Sequence, residues 1–489
     1  METRRDGDHE HHPELNATQV PSIFVDTSHE LDLRALGGRI LSVVALVVLW
    51  FAPLKIDIVA RHALAIGSFM IIAWITDALP HVITGLIGCF LFWALGVVEF
   101  GAAFSGFSNE ATWFYFGAML FGMLATETGL ANRLAFHLML RFGKTYSQVL
   151  LGLIVLSFLL TFLVPSGAVC VVIMASVAMG LLEAYGIGRA SNMARGMFLT
   201  LTYTAGLFDK MVVAGPASIL GRELIMKTAH TEIYWSKWLL AYLPFSLITI
   251  VVTWRLILWL YPCEAALTGG EEYLRAQLHK RGQLTPREKH AAALMLLGLV
   301  LWSTDSLHHI SAAVIGLGIG LMAVLPGIGV LGMKDVKKVN YVAMFFVGTA
   351  ASLGQVLVQT KGLDVLTRIT FAWMTPLLTN KFSTAIVPYF AGFIYHIFLG
   401  NDITMLATSI PPLMNFAAVQ GIDPIGLGML WVFASTGKIF LYQSGVLIMG
   451  YSYGYFGTKD LLRLGLLLSL VEAILILIFV PFYWPFIGI

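Results

Sequence analysis

Two charged side chains lie in the middle of a long apolar tract. The tract covers residues 200–223, and Asp209 and Lys210 lie near its centre. A charged group at bilayer depth costs at least about 2.5–3.5 kcal/mol, so such groups usually face a cavity or a transport pathway. Gly215 and Pro216 also interrupt helical hydrogen bonding, which is tolerated at that depth only where protein or a water-filled cavity meets the backbone. The tract is therefore predicted to be a broken helix that faces a cavity.

A second interrupted segment repeats this design near the end of the chain. It covers residues 434–450, and it contains Lys438, Gln443, Ser444 and Gly445. Interrupted hydrophobic segments in corresponding positions of two halves are the best sequence indication of a transporter's binding site. The sequence therefore predicts a site between these two segments.

Composition places the remainder of the chain in a membrane. Of its 489 residues, 58% are hydrophobic and only 12% are charged, compared with about 25% charged in an average soluble domain. The length suits roughly a dozen spans of about 20 residues each. The small net charge of +2 gives no indication of a nucleic-acid partner. The cysteines are isolated, at positions 89, 170 and 263, and have neither disulfide nor zinc spacing.

The first 36 residues are polar and differ from the rest. No apolar stretch follows their basic start, so they do not resemble a cleaved signal peptide. The histidine-rich run at residues 8–12 could hold a metal, but a disordered tail is the favoured interpretation of this composition. We expect residues 1–36 to form a disordered cytoplasmic tail.

The apolar segments predict two halves of similar design. Residues 37–262 form a first repeat of scaffold helices, a hairpin at 147–184 and a broken helix at 191–228. A basic cytoplasmic loop follows at 263–290, and the second repeat, 291–489, contains a hairpin at 383–419 and a broken helix at 424–450. We expect an all-α polytopic membrane protein with about 11 transmembrane helices. Both hairpins are predicted to be re-entrant. With an odd number of crossings before the second half, the two repeats would be inverted, as in many secondary carriers.

The distribution of basic residues predicts the orientation. With the N-terminus inside and the first hairpin entering and leaving on one side, the basic 263–290 loop is cytoplasmic, as the positive-inside rule requires. If both hairpins crossed fully, this loop would lie outside. We therefore predict a cytoplasmic N-terminus in the cell inner membrane or plasma membrane.

Several short motifs resemble one family of carriers. Residues 107–113 (FSNEATW), 165–168 (PSGA), 215–218 (GPAS) and 459–465 (KDLLRLG) look like stretches of the divalent anion:sodium symporter (DASS) family of dicarboxylate and citrate carriers. The resemblance extends from about residue 40 to the end. It implies a homodimer, with a fixed scaffold and a moving transport domain that carries substrate across the bilayer by an elevator motion.

The sequence departs from the family pattern at the two hairpin tips, which in the family bind sodium. The family has a Ser-Asn-Thr sequence at each hairpin tip, but here the tips read 166–168 (SGA) and 400–404 (GNDIT). Sodium is a hard cation that prefers oxygen ligands, and Gly167 and Ala168 offer no side-chain oxygen. Each half has a lysine nearby, so we interpret Lys210 and Lys438 as replacements for the two sodium ions. No cofactor or metal is predicted, although sodium remains the alternative.

The candidate substrate-binding residues each have a structural alternative. Lys210 could instead pair with Asp209 or extend to an interface. Asp402 could accept a proton, neutralise Lys438 or cap a helix. Ser166 and Asn401 could bind a carboxylate beside helix N-termini, or could serve only as caps. Ser218 and Ser444 could instead join helices, as polar residues do in membranes. The predicted substrate-binding set is Ser166, Gly167, Lys210, Ser218, Asn401, Asp402, Thr404, Lys438 and Ser444.

These features predict a secondary active transporter of small dianions. Di- or tricarboxylates are favoured as substrates, with proton symport or anion exchange favoured over sodium symport. A sodium-coupled carboxylate or sulfate symporter is the alternative within this class, and an anion channel or an intramembrane enzyme is the alternative outside it. The usual enzyme and ATP-binding motifs are absent from the sequence, so we expect neither an enzyme nor an ATP-driven pump. The expected partners are an anionic substrate, the lipid bilayer and a second copy of the chain.

Overall fold

The computed structural model of the protein describes residues 33–264 and 267–489, and every regular element in these two ranges is helical. The first helix begins at Leu33, so residues 33–36 of the predicted tail belong to a helix. The rest of that tail, with its histidine-rich run, lies outside the described residues. The predicted all-α architecture is confirmed.

The first half consists of eleven helices and one 3-10 turn. Their bounds are α1 Leu33–Phe51, α2 Ile58–Ile75, α3 His81–Ala94, α4 Phe100–Ala103, a 3-10 turn Ser105–Ser108, α5 Glu110–Glu127, α6 Leu130–Phe142, α7 Tyr146–Leu163, α8 Gly167–Ala184, α9 Asn192–Met211, α10 Pro216–Ala229 and α11 Trp235–Leu260.

The second half begins inside the basic loop, which itself contains a helix. The bounds are α12 Gly270–Arg281, α13 Pro286–Ser303, α14 Asp305–His308, α15 Ala312–Val324, α16 Met333–Val336, α17 Tyr341–Gln359, α18 Gly362–Phe371, a 3-10 turn Ala372–Leu377, α19 Lys381–Phe398, α20 Asp402–Gln420, α21 Pro424–Ala434, a 3-10 turn Leu441–Gln443, α22 Gly445–Ser452 and α23 Thr458–Phe486.

The number of full membrane spans is smaller than the sequence suggests. Within the described ranges, seven helical segments are long and apolar enough to cross a bilayer, or eight if α5 and α6, which meet at a bend of 60°, form one span. The apolar helices α3, α15 and α21 have only 14, 13 and 11 residues. A full span needs about 20 residues, so the predicted count of about 11 is not confirmed.

Both predicted hairpins are present, each with a short turn. Helices α7 and α8 are joined by residues 164–166, which we call the first tip, and α19 and α20 are joined by residues 399–401, the second tip. Gly400 has a left-handed φ of 77°, a conformation that glycine adopts without a steric cost. Ser166 and Asn401 accept hydrogen bonds from backbone N–H groups of the helices that follow them. The local sequence at each tip thus ends the first helix of the hairpin and begins the second.

Both predicted broken helices are also present. The first is interrupted between α9 and α10, where Val213 has a left-handed φ of 55°. Pro216 opens α10, a position where its missing N–H has no consequence for helical hydrogen bonding. The second is interrupted over residues 435–444, between α21 and α22. Each break leaves backbone groups free for contacts outside their own helix.

The two halves pack into one another around α9. Helix α8 contacts α9 and also α22 of the other half, while α10 contacts α20 and α21. An 18-residue stretch of the α9–α10 segment is completely buried, whereas only 28% of the corresponding stretch of α11 is buried. The breaks and tips of both halves therefore converge at the centre of the protein, and α11 lies at its periphery.

Candidate functional site

Four charged side chains meet at the centre of the protein. Lys210 Nζ lies 2.8 Å from Asp402 Oδ2 and 3.1 Å from Asp209 Oδ1. Lys438 Nζ lies 3.2 Å from the same oxygen of Asp402. Asp402 therefore bridges the lysines of the two halves. We call Asp209, Lys210, Asp402 and Lys438 the four-charge cluster.

The elements that carry these groups explain their positions. Asp209 and Lys210 lie in the last turn of α9, Asp402 is the first residue of α20, and Lys438 lies in the break after α21. A carboxylate in the first turn of a helix and an ammonium in the last turn both interact favourably with the helix dipole. Asp402 and Lys210 thus each lie at the helix end that favours their charge.

Burial differs among the four side chains. The exposed fractions are 1% for Lys210, 3% for Lys438, 8% for Asp209 and 13% for Asp402. Two ammonium groups and two carboxylates make the cluster neutral when all four are ionised, which is the arrangement that makes buried charge tolerable. Asp402 has the largest exposed fraction of the four.

Backbone contacts fix both lysines in place. Lys438 Nζ donates to the carbonyl oxygen of Gly206, 3.2 Å away. Tyr203 on α9 donates to the carbonyl oxygen of Lys438 at 3.2 Å, and Trp238 Nε1 on α11 donates to the carbonyl oxygen of Lys210 at 3.0 Å. The broken segments are therefore held by side chains from other helices, and the ammonium groups have defined positions.

Four of the predicted polar residues are used in local backbone contacts. Ser166 Oγ accepts from Val169 N at 3.5 Å, and Asn401 Oδ1 accepts from Thr404 N at 3.0 Å. Ser218 Oγ donates to the carbonyl oxygen of Asp209 at 2.8 Å, and Ser444 Oγ accepts from Val446 N at 3.2 Å. The capping roles expected as alternatives are thus present at Ser166 and Asn401, and Ser444 also caps a helix. Their roles in substrate binding stay predictions.

Gly167 allows the first tip to approach α9 and α22 closely. A Cβ atom at this position would lie 2.8 Å from the carbonyl oxygen of Ala205 and 2.8 Å from Cγ2 of Val446. Real Cβ atoms do not approach other atoms that closely. The glycine that replaces a polar side chain at this tip therefore has a packing function, and it brings the tip beside the residue that precedes Gly206.

Three buried polar atoms beside the second tip lack a partner among the described residues. They are Thr404 Oγ1, His396 Nδ1 and Gln443 Nε2. The other ring nitrogen of His396 lies 3.2 Å from the carbonyl oxygen of Gln443. Buried polar groups in native proteins are nearly always satisfied. These three atoms are therefore candidates for contacts with a bound ligand or with water.

Three further groups in or near the site are not among the residues predicted from the sequence. Asp209 was expected only as a partner of Lys210, and the carbonyl oxygen of Gly206 has no signal in the sequence. Glu472 is 2% exposed and accepts a hydrogen bond from the Tyr389 hydroxyl at 2.9 Å. A lone carboxyl group inside the apolar run 461–485 is a signal that could have found Glu472.

A second buried ion pair lies away from this centre. Arg133 donates to both carboxylate oxygens of Glu288, at 2.7 and 3.1 Å, and to the carbonyl oxygen of Gly282 at 2.8 Å. This bidentate geometry joins α6 to the start of α13, so it connects the two halves at the basic loop. Its hydrogen bonds are used within the protein, which indicates a structural role.

Residues 34–489 match the family described as "Sodium:sulfate symporter transmembrane region". The chain belongs to this family. The match covers almost the whole chain, including both hairpins, both broken helices and the four-charge cluster. The resemblance to the divalent anion:sodium symporters is therefore confirmed. The chain is a polytopic membrane transporter, and the prediction that it is not an enzyme is confirmed by its family.

Three similar proteins support this membership, and two of them have named functions. A citrate/succinate antiporter of Escherichia coli K12 is 26% identical over 398 residues, which cover 76% of this chain and 78% of the relative. Dicarboxylate transporter 1 of Spinacia oleracea, a chloroplastic protein, is 23% identical over 473 residues, or 92% and 81% of the two chains. A protein of Cupriavidus necator described only as "Membrane protein" is 26% identical over 482 residues, or 92% and 93%.

A solved structure shares the fold. The YdaH transporter of Alcanivorax borkumensis superposes with a TM-score of 0.53 over 84% of this chain and 90% of that chain, at 16% sequence identity. At this identity the likeness concerns the helical architecture alone. The two chains thus share a common arrangement of helices.

Proposed function

We propose that the chain is a secondary carrier of small dicarboxylate or tricarboxylate anions in the cell inner membrane or plasma membrane. The observation that carries the proposal is the meeting of two buried ammonium groups, Lys210 and Lys438, one from each half of the chain. Fixed positive charges at the centre of a membrane protein suit an anionic substrate. The names of the relatives, a citrate/succinate antiporter and a dicarboxylate transporter, support carboxylates as the substrate class.

The substrate is proposed to bind between the two tips and the two breaks. Lys210 and Lys438 supply charge, and the buried polar atoms of Thr404, His396 and Gln443 supply hydrogen bonds. The N-termini of α8 and α20, which begin at the tips, add positive potential. The proposed site is completed by four polar residues of the same tips and breaks: Ser166, Asn401, Ser218 and Ser444.

Coupling is proposed to use protons or a counter-transported anion instead of sodium. A sodium ion needs several oxygen ligands, and the tip residues Gly167 and Ala168 have no side-chain oxygen. The carbonyl oxygen of Gly206 already accepts from Lys438. These contacts support the interpretation that an ammonium group takes the place of a coupling cation. The family description favours the alternative, a sodium-coupled carboxylate or sulfate symporter.

Transport is proposed to follow an elevator-type alternating-access mechanism in a homodimer with a cytoplasmic N-terminus. Many of the helix contacts fall within two groups that fit this idea, and the two groups also touch each other through α18 and α20. Helices α7–α11 pack extensively with α19–α23, and α1–α5 pack with α13–α18. The first group contains the site and would move, while the second would form the scaffold and the dimer interface.

Uptake of labelled succinate, citrate and sulfate into proteoliposomes tests the proposed function. Each anion is supplied with inward sodium, with choline in place of sodium, and with unlabelled anion inside. We expect saturable uptake of a carboxylate in choline, and stimulation by internal anion if the carrier is an exchanger. Strict dependence on sodium would contradict the proposed coupling. Linear uptake without saturation would indicate a channel, and no uptake of any of the three anions would contradict the proposed substrate class.

A further inference from the structure

Asp402 holds the position that a substrate carboxylate would be expected to take. Its Oδ2 atom lies within hydrogen-bond distance of both ammonium groups, at 2.8 Å from Lys210 and 3.2 Å from Lys438. A bridging carboxylate oxygen between two ammonium groups is also the arrangement by which such a pair would bind an external carboxylate. The protein therefore carries, at the first residue of α20, a group with the chemistry of its proposed substrate.

The remaining hydrogen-bonding capacity of the cluster is small. Lys438 has three N–H donors, and its two acceptors among the described residues are Asp402 and the Gly206 carbonyl. Lys210 uses its donors on Asp209 and Asp402. A substrate carboxylate would therefore meet one free donor, on Lys438, and two carboxylates, Asp209 and Asp402. A third carboxylate would outnumber the two ammonium groups, and repulsion among close carboxylates favours displacement and protonation of one of them.

We propose that Asp402 is an internal competitor of the substrate: an incoming carboxylate displaces it from Lys210 and Lys438, and Asp402 takes up one proton from water as it leaves. This inference rests on the proposed function, and it names the proton-binding group of that site. No bond other than those to the proton and the hydrogen-bond donors changes. Asp402 has the largest exposed fraction among the four side chains.

Charge balance gives the competitor a role in the transport cycle. With Asp402 ionised, the empty cluster has two positive and two negative charges, hence no net charge. The empty carrier can then return through the membrane without moving a bare charge, which would be costly at bilayer depth. With Asp402 protonated, the cluster has a charge of +1 and accepts an anion. The same residue thus alternates between neutralising the empty site and leaving the loaded one.

Other titratable groups near Asp402 must be distinguished from it. On the facing elements these are Asp209, Lys210, Lys438, His396 and, across the second tip, His81, while Glu472 interacts with Lys438. Asp209 contacts Lys210 but makes no ion pair with Lys438 among the described residues, so it does not bridge the halves. His396 is the second candidate proton acceptor, since one of its ring nitrogens lacks a partner within the described ranges. Substitution of each group in turn separates their contributions.

Proton uptake on binding is the decisive measurement. Succinate is added to the purified full-length protein in weakly buffered solution near pH 7.5, where carboxyl groups with ordinary pKa values near 4 are ionised. We expect about one proton taken up per succinate bound by the wild-type protein, and none by Asp402→Asn. Binding to the wild type without proton uptake would overturn the inference but not the proposed function. Failure to bind succinate, citrate or sulfate would contradict the proposed function itself.

The pH dependence of affinity gives a second test. Because protonation removes the competitor, the wild-type affinity for succinate should rise as pH falls, by at most about tenfold per pH unit. Asp402→Asn should bind more tightly at neutral pH and lose this dependence, while Asp402→Glu should retain it. Asp209→Asn and His396→Gln should keep the dependence, as should Asp57→Asn, which alters an exposed helix cap. A pH dependence that survives in Asp402→Asn and disappears in His396→Gln would overturn the inference.

Transport assays extend the test to the cycle. In Asp402→Asn the empty cluster keeps a net positive charge, so its return should be slow. We expect this variant to exchange internal for external succinate at a substantial rate but to lose most net uptake into vesicles without internal anion. Equal loss of exchange and net uptake, in a variant that still binds succinate, would contradict the proposed role of Asp402 in the return step.

Discussion

Lys438 donates to the carbonyl oxygen of Gly206, 3.2 Å away, and thereby connects the broken segments of the two halves. The two residues are 232 positions apart in the chain. Backbone carbonyls of unwound segments are typical ligands for a coupling cation in secondary transporters, and Gly206 lies in α9 shortly before the break. In this protein an ammonium group from the opposite half uses that oxygen. The contact is the clearest structural support for a carrier whose positive charge is built in.

Loss of either lysine should remove anion binding. In Lys210→Met and Lys438→Met, we expect the affinity for succinate to fall by at least about tenfold, because each lost charge-assisted hydrogen bond contributes about 1.5–3 kcal/mol. Isothermal titration calorimetry on the purified variants measures this. Lys55→Met, at an exposed position, is the control and should bind as the wild type does. Unchanged affinity in both buried variants would contradict the role of the lysines.

Arginine should not replace either lysine. A guanidinium is planar and larger than an ammonium, so it cannot occupy the same compact position between Asp402 and the Gly206 carbonyl. We expect Lys438→Arg to insert into the membrane but to take up succinate at a rate reduced at least severalfold. Wild-type uptake by this variant would show that only the charge matters, and that the contact geometry does not.

A side chain at Gly167 should displace the first tip. Because a Cβ would lie 2.8 Å from both Ala205 and Val446, Gly167→Ala should lower the free energy of unfolding by about 1–3 kcal/mol, as overpacking does. Succinate uptake should fall with it. Gly188→Ala is the matched control, since a Cβ there meets open space. Thermal unfolding and uptake of the two variants, compared side by side, test the packing role; equal behaviour would refute it.

The Arg133–Glu288 pair should stabilise the protein without affecting its affinity for the substrate. Removing one partner leaves a buried charge uncompensated, so Arg133→Met should lose about 3–5 kcal/mol of stability. The affinity of the folded variant for succinate should be unchanged. Arg275→Met removes the arginine of an exposed pair with Glu271, and its unfolding temperature should match that of the wild type. A large loss of succinate affinity in folded Arg133→Met would place this pair in the transport mechanism.

Cross-linking tests the proposed motion between the two helix groups. Asn415 on α20 donates to Asp364 on α18 at 2.9 Å, so this contact joins the proposed moving group to the proposed scaffold. With the exposed Cys263 replaced by serine, Asp364→Cys and Asn415→Cys joined by a short, reducible bifunctional thiol reagent should stop uptake, and reduction should restore it.

The control pair lies within the proposed moving group. Arg195 and Asp460, on α9 and α23, are 3.6 Å apart. Arg195→Cys and Asp460→Cys, cross-linked in the same way, should leave uptake intact. If both cross-links leave uptake intact, the elevator motion is refuted, because the two groups would then not need to slide past each other.

Much of the helical architecture could be predicted because its signals are local. A Pro-Ser-Gly sequence ends one apolar run and begins another, and lysines inside apolar tracts indicate a polar environment whatever surrounds them. The two hairpins, the two breaks and both lysines are identified by such signals. The number of membrane spans cannot be predicted in this way, because short apolar helices such as α3 and α15 cannot be distinguished by composition from parts of full spans.

The partners of the charged groups could not be predicted from the same signals. Pairing of Lys210 with Asp209 is expected because the two are adjacent, but the contact of Lys210 with Asp402 joins residues 192 positions apart. Contacts across such a separation have no local signal, which is also why the Gly206 carbonyl was missed. The use of Ser444 as a helix cap likewise depends on where α22 begins.

The sequence by itself determined that this chain spans a membrane, that both halves contain a hairpin and a broken helix, and that each half buries one lysine. These properties follow from the free-energy cost of placing polar groups in hydrocarbon. This cost depends on the residues of each segment alone, so each segment can be interpreted independently. Only the tertiary structure decided that both lysines meet one carboxylate, Asp402, and that two carboxylates lie beside the two ammonium groups. Buried charges must be compensated by groups within a few ångströms, and that proximity is created by the packing of the two halves.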